Sequence, residues 1–506
     1  MDNDVAIVLD CGATNVTAAA VDTSGEIVKS ASRANGPVAQ PGGGEGWLIW
    51  DPDGLWDTIC SACTEVCSDL AADRIRAVTI TTWGADGAPV RSDGSLTYPP
   101  ICWQDDRTDG LVRNIADHIQ PWKAFAETGY QVIPFNTLLR LMWLREHEPA
   151  VLDEAECWLM MPGLLSHRLC GERSIEPTSA GTMMAMDMGR RDWSEKMLSL
   201  AQLDASFFPP WVEPGSVIGN VHDAASAQTG LPRGLPVVAA GHDTQFAGIG
   251  SGASTTEAIL SSGTWEILML RLDRFTPSRF AFDEGLIVEC DPVPGFWNPQ
   301  LLMMGSGVLE WLREHMYADV AERADAYARM IADAEAVVPG ADGVTVLPSF
   351  VPETGPTKKY NTHGTILGLG ITTDRAQVYR AALEGLCFQL RHALEVLAEA
   401  TDFSAEGIRA VGGGSRNELW NRIRADVTGL PVSTISQKEA TALGAAMFAF
   451  VGAGTFASIE EAQQQVVTPE AVIQPSSARQ RVYDDLYAKY RQAPPALAGF
   501  YGEEGG

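Results

Sequence analysis

With 506 residues, of which 45% are hydrophobic and 20% charged, the chain has the balance of a folded protein and is too long for one ordinary core, so two domains are expected. A formal net charge of −29 with no basic stripe disfavours a nucleic-acid backbone as partner, and no apolar run reaches the roughly 18 residues of a membrane-crossing helix. Nine scattered cysteines supply no disulfide framework, and the acidic start Met1-Asp2-Asn3-Asp4 leads straight into a strand, so the expected location is the cytoplasm. The opening pattern is a three-strand meander over 5–10, 16–22 and 26–33. A surface loop at 37–46 precedes a helical pattern over 52–72. There Cys60, Cys63 and Cys67 share a face with Trp56, Ile59, Val66 and Leu70 and read as small buried hydrophobes, not a zinc site. A buried strand follows at 75–81, then helices over 137–148 and near 164–169. A Pro/Gly-rich passage at 208–219 leads to a strand at 237–240. The small-residue stretch 248–254 reads as a flexible boundary between halves. The second half repeats the theme, with a strand pair around Gly263, a long helix over 374–400, a strand at 408–412 and a helix over 418–428. Residues 440–446 read as close helix packing and 494–506 as a mobile tail. Strands alternating with helices after a meander predict an α/β fold in two similar halves.

Two turns carry the first chemical signal. Asp10-Cys11-Gly12-Ala13-Thr14-Asn15 and Ser261-Ser262-Gly263-Thr264-Trp265-Glu266 each place glycine and small hydroxyl residues between apolar strands. Glycine lets backbone approach an anion, and free amides with Ser/Thr hydroxyls supply donors. Either turn alone could be an ordinary hairpin; the pair suggests one polyphosphate clamped between two domains. Asp10, ending an apolar strand beside such a loop, suits Mg²⁺ on phosphates. Neither the GxxxxGK[ST] loop nor a strand-GxGxxG-helix is present.

Four further stretches follow. Gly241-His242-Asp243-Thr244-Gln245 delivers a carboxylate from a strand end, as a base that accepts a hydroxyl proton requires; the alternative for Asp243 is a helix cap. Gly412-Gly413-Gly414 runs from a strand into a helix and suits an adenosine lying against it. Thr81-Thr82-Trp83-Gly84-Ala85-Asp86-Gly87, and similarly the stretch 101–107, combine indole and carboxylate as a sugar site does; a half-buried Trp beside an ordinary ion pair is the alternative.

Taken in order, these stretches resemble the FGGY carbohydrate kinase family across essentially residues 4–490. Gly364-Thr365-Ile366-Leu367-Gly368-Leu369 with Ala381-Ala382-Leu383-Glu384 fits its C-terminal signature. Phe135-Asn136-Thr137 with Leu141-Met142-Trp143-Leu144 resembles the N-terminal one, with Arg140 where lysine is usual. The resemblance implies a two-domain actin-like ATPase fold of the ribonuclease H-like class. Residues 1–247 would be the sugar-binding domain, 255–490 the nucleotide-binding domain, and 491–506 a tail. It implies ATP and Mg²⁺ as cofactors, Asp243 as catalytic base and Asp10 near the metal. Ala13, Thr14, Asn15 and Thr264 would hold phosphates, Gly413 and Gly414 adenosine, and Glu310 the nucleotide's edge. Gly84, Asp86, Trp83, His242 and Thr244 would line the sugar pocket, with His242 either a ligand contact or a structural support. The implied partner is a small-molecule sugar, with no nucleic acid and no membrane, and room for a homodimer. The implied substrate is a 6-deoxy-ketohexose such as L-fuculose, ahead of L-rhamnulose and D-ribulose, its methyl received by Trp83 and Phe246. An actin- or Hsp70-like ATP-driven switch is the alternative of another class.

Overall fold

Every residue of Val5–Leu9 is buried, so the first strand has no face for solvent and must lie inside a sheet covered on both sides. The computed structural model describes residues 3–437 and 439–501 and places that strand, β1 (Val5–Cys11), accordingly. β1 pairs antiparallel with β2 (Asn15–Asp22), which pairs antiparallel with β3 (Ile27–Ala34). On its other side β1 runs parallel to β4 (Ile75–Thr82). β5 (Val217–Asn220) and β6 (Pro236–Val238) complete a six-stranded sheet of order β5-β6-β4-β1-β2-β3.

The second sheet repeats this connectivity. β7 (Glu257–Ser262) pairs antiparallel with β8 (Trp265–Met269), and β9 (Ile287–Cys290) is the added edge strand on β10 (Trp297–Met304). β11 (Gly407–Val411) and β12 (Val432–Ile435) extend β7 in parallel, and β13 (Pro469–Ile473) closes the sheet antiparallel. The order β9-β10-β8-β7-β11-β12-β13 matches the first sheet except for β9. The expected two-domain α/β architecture is therefore present, and its two halves share one strand plan.

Alternation along β1 divides its side chains between two cores. Val5, Ile7 and Leu9 pack toward helix α1 (Pro52–Cys67) through Leu55, Ile59, Cys63 and Val66. α1 stops short of the expected residue 72, because Ser68 and Asp69 turn to solvent and Ser68 N–H closes the helix on the Thr64 carbonyl. Helix α2 (Thr137–His147) falls where the sequence pattern puts it. The passage 208–219 has the composition of a loop, yet it runs into β5, a strand too short and too exposed to carry a period-two signal.

Ala6 and Val8 face a second core shared by both halves. Helix α3 (Asp243–Gly250) comes directly before the second half of the chain and contains Gly248 and Gly250, so these glycines lie in a helix and not in the expected flexible boundary. In the second half, α4 (Ser306–Met316), α5 (Arg375–Thr401) and α6 (Glu418–Thr428) follow in order. The ends of α5 and α6 are set by side-chain caps from Asp374 and Asn417. Helix α7 (Ala440–Gly452) then crosses α3 so closely that a Cβ on Gly250 would lie 1.9 Å from the Ala440 carbonyl oxygen, and one on Gly444 2.0 Å from that of Phe246. Glycine here provides close approach, not flexibility. Phe246 is fully buried in this crossing with its ring 5.1 Å from Phe448, so it is not available to receive a sugar methyl.

The expected tail is also partly ordered. Helix α8 (Ala493–Tyr501) docks through Tyr501, whose ring stacks on His363 at 4.7 Å and whose hydroxyl meets Thr365 Oγ1 at 2.8 Å. No helix among the described residues is long and apolar enough to cross a membrane.

Candidate active site

The parallel strands β1, β4 and β6 end on one edge of the first sheet, and three of the singled-out stretches emerge there. Asp10 stands opposite Thr81 in the β1–β4 register, and Thr81 Oγ1 donates to its carboxylate at 2.9 Å. Thr82 N–H donates to the Gly241 carbonyl at 3.0 Å, which brings Gly241-His242-Asp243 alongside. Gly241 has no alternative: a Cβ there would lie 2.3 Å from Glu176 Oε1 and from Thr178 Oγ1. Thr178 Oγ1 also accepts from His242 N–H at 2.9 Å. This buried support from Glu176 and Thr178 had no local signal in the sequence.

Asp243 is the first residue of α3, where the helix dipole favours a negative charge. Its carboxylate accepts from Thr244 N–H at 2.6 Å and Thr244 Oγ1 at 3.2 Å. Burial raises its carboxyl above the ordinary range, while His242 and those Thr244 donors pull it back. Asp10 is pushed up to about 7, first by burial and then by the nearby Asp243, with Thr81 opposing and Glu439 adding to the rise. Two carboxylates that disfavour each other's charge form a site that a cation would relieve, so the donor set fits Mg²⁺ beside Asp10.

His242 Nε2 lies 3.5 Å from Asp243 Oδ1, and its Nδ1 lies 3.0 Å from Glu289 Oε2. Burial alone would lower this imidazole, but Glu289, Asp243 and Glu176 outweigh it and lift the ring to about 9. Gly84 sits against the same ring, since a Cβ on it would come within 3.1 Å of His242 Nε2. Gly84, His242, Asp243 and Thr244 thus lie together.

Asp86 differs from expectation. Its Oδ2 accepts from Trp50 Nε1 at 2.5 Å, Trp83 Nε1 at 2.7 Å and Trp103 N–H at 3.1 Å, and Oδ1 pairs with Arg140. With no exposed surface, Asp86 does not stand on an open pocket wall; four protein donors already surround it. Trp83 is only 7% exposed and its ring lies 4.1 Å from that of Trp50. The loop between them is locked from α2. Ala85, held at φ 71°, gives its carbonyl to Thr137 Oγ1 at 2.6 Å and Arg140 Nη1 at 3.2 Å. In the 101–107 stretch, Arg107 pairs with Asp105 in a buried fork and lies 4.3 Å above the Trp47 ring, a structural role.

The two phosphate-type turns both close at their glycine, over loops of different length. Gly12 N–H closes on the Asn15 carbonyl at 2.8 Å and Gly263 N–H on the Trp265 carbonyl at 2.9 Å, leaving Thr14, Asn15 and Thr264 exposed and Ala13 half-buried at the tips. The second turn is held from beneath: Gly305 and Ser306, at the start of α4, donate to the Thr264 and Gly263 carbonyls. Arg424 of α6 pairs with the buried Glu266 and donates to Ser262 Oγ at 2.7 Å. Of the three glycines after β11, two are required by this turn. A Cβ on Gly412 would lie 2.7 Å from the Ser262 carbonyl, and one on Gly414 2.2 Å from Ser262 Oγ. A Cβ on Gly413 would face open space. Glu310 lies on α4 about one turn beyond Ser306, held by Arg313 Nε at 2.9 Å and by the Tyr327 hydroxyl.

The model for the N-terminal domain of the FGGY family of carbohydrate kinases matches residues 5–250, and that for its C-terminal domain matches residues 258–453. An L-fuculokinase of Escherichia coli (strain K12) is 39% identical over 467 residues, covering 92% of this chain and 96% of that protein. An L-fuculokinase of Haemophilus influenzae is 33% identical over 485 residues, with 95% and 99% covered. Among solved structures, a xylulose kinase from Rhodospirillum rubrum superposes with a TM-score of 0.87 at 26% identity, covering 98% of this chain and 99% of that one.

Proposed function

Because the chain belongs to the FGGY family of carbohydrate kinases, we propose that it transfers the terminal phosphoryl group of ATP to O1 of a 6-deoxy-ketohexose, converting L-fuculose to L-fuculose 1-phosphate. The observation that carries the chemical reading is Asp243. Its carboxylate stands at the start of α3, its orientation held by Thr244, close enough to Asp10 to raise the Asp10 carboxyl, with His242 Nε2 3.5 Å away. Phosphoryl transfer asks little covalent work of a protein; it asks for a placed acceptor hydroxyl and an electrostatic match to the phosphates. Asp243 accepts the proton of the sugar hydroxyl and orients its oxygen. Asp10 would hold the Mg²⁺ that accompanies ATP, and the nucleotide, when bound, would supply the phosphoryl group. Ala13, Thr14, Asn15 and Thr264 would present donors to phosphates from the two turns, Gly413 and Gly414 would border adenosine, and Glu310 would border the nucleotide's edge.

On the sugar side, Gly84 and Thr244 flank His242, which offers an N–H. Asp86 acts indirectly, by holding Trp83 and Arg140 in place. Trp83 alone is left to meet the methyl of a deoxy sugar, a contact worth about 1 kcal/mol. The identity of 39% and 33% to two proteins named L-fuculokinase supports L-fuculose over other ketoses. The test is a panel of L-fuculose, L-rhamnulose, D-ribulose, D-xylulose and glycerol compared by kcat/KM. L-fuculose should rank first, with L-rhamnulose and D-ribulose turned over more slowly. A clear preference for D-xylulose or glycerol would overturn the deoxy-ketose assignment and leave the kinase reading standing.

A further inference from the structure

A carboxylate within an apolar edge strand requires a reason. Glu289 lies on β9 between Val288 and Cys290, 1% exposed, where a charge is costly unless donors surround it. Three donors from the first half of the chain do so. The Tyr130 hydroxyl reaches Oε1 at 2.9 Å, and His242 Nδ1 and Gln245 Nε2 reach Oε2 at 3.0 and 2.5 Å. Gln245 is itself held, accepting from Asn298 Nδ2 at 2.5 Å, and Asn298 is the register partner of Glu289 on β10. β9 is anchored to the first half by main chain as well, Val288 N–H donating to the Gly129 carbonyl at 2.8 Å. A side chain of the second sheet therefore grips the two residues that flank Asp243–Thr244 in sequence.

We propose that Glu289 is a positioning residue for phosphoryl transfer: across the boundary between the two halves it holds His242 so that Nε2 faces Asp243 and the acceptor sugar as a hydrogen-bond donor. The inference rests on the reading of Asp243 as base. With Nδ1 engaged by Glu289, the ring has one free nitrogen, and at 3.5 Å from Asp243 Oδ1 that nitrogen is too far for a strong direct bond and free to serve a substrate oxygen. The groups facing the ring are Glu289 from β9, Asp243 from α3 and Glu176 from the segment ahead of the short helix Pro177–Gly181. All three are acidic, which favours the imidazolium and makes both nitrogens donors. A fixed donor beside a carboxylate acceptor matches two adjacent oxygens of a 2-ketose: the O1 hydroxyl that loses its proton, and the neighbouring C2 oxygen that accepts a hydrogen bond.

The test compares full-length wild type with Glu289→Gln, Glu289→Asp and Asp243→Asn, using ATP and the ketose of the panel that is turned over fastest. Glu289→Gln should lower kcat about 10- to 100-fold while the KM for ATP stays within about twofold, and Glu289→Asp should restore part of the loss. In ¹⁵N-histidine spectra, His242 should carry protons on both nitrogens at pH 7.5 in the wild type and become neutral in Glu289→Gln. A kcat within twofold of wild type in Glu289→Gln would overturn the proposal. So would a loss shared equally by kcat and ATP affinity with the His242 signal unchanged. Should Glu289→Gln fail to fold, the wild-type spectrum still decides, because a neutral His242 at pH 7.5 contradicts the proposal. Near-normal turnover by Asp243→Asn would instead sink the base reading, an outcome the His242 spectrum does not share.

Discussion

Asp10→Asn should stabilise the ligand-free protein, and should do so only above a defined pH. In the folded chain the Asp10 carboxyl is pushed from 3.8 to about 7 by burial and by Asp243, whereas in the unfolded chain it loses its proton near 3.8. Between those values the folded state binds the extra proton. The contribution of the neutral carboxyl is therefore fully present below pH 3.8 and is lost as pH climbs to about 7. Every pH unit between the two values is worth about 1.4 kcal/mol, which sets an upper bound of about 4 kcal/mol, reduced by the partial exposure of Asp10. Asparagine keeps an oxygen for the Thr81 hydroxyl and removes the ionisation. Between pH 5 and pH 8 the stability gap in favour of Asp10→Asn should widen by about 2–3 kcal/mol. In thermal melts that is roughly 5 °C if the first domain unfolds as a unit. Mg·ATP should narrow or reverse the gap, because it favours the charged form. A gap of equal size at pH 5 and pH 8, or an Asp10→Asn protein less stable than wild type at pH 8, would refute the reasoning.

Asp243→Asn keeps the shape of the side chain and removes the base, so turnover should fall about 10²- to 10⁴-fold, with nucleotide affinity, measured by calorimetry, largely intact. Gly444→Ala places a methyl 2.0 Å from the Phe246 carbonyl oxygen and should cost at least about 2 kcal/mol in urea unfolding, since main chain, not a flexible side chain, must move. An undiminished urea midpoint would show that α3 and α7 separate easily. Small-angle scattering should show a more compact particle with an ATP analogue and ketose together than with neither, because closure excludes the water that competes for the phosphoryl group.

Local chemistry was legible in the residues. The two turns around Gly12 and Gly263 announce themselves through glycine and hydroxyls between apolar strands, and each joins an antiparallel strand pair closed at its glycine. Helices α5 and α6 begin where capping residues place them, because a cap is satisfied within one turn of chain. The switch alternative is set aside by the membership in a carbohydrate kinase family. Glu289 was missed, although a lone carboxylate in the run Ile287-Val288-Glu289-Cys290 is a visible anomaly; its partners Tyr130, His242 and Gln245 lie far away in sequence.

What the sequence by itself determined is therefore what a few neighbouring residues decide energetically: strand, turn and helix, and the residue types delivered at strand ends. Tertiary structure decided which face each of those residues presents. Phe246 and Asp86 both sit in stretches that pointed to a sugar, yet Phe246 is drawn into the α3–α7 crossing and Asp86 is enclosed by Trp50, Trp83 and Arg140. Gly412 and Gly414 are fixed by the approach of Ser262, whereas a Cβ on Gly413 would meet nothing. The reason is that burial and hydrogen-bond satisfaction are settled among groups hundreds of residues apart, where one side chain's neighbours depend on how two sheets and their helices close on each other.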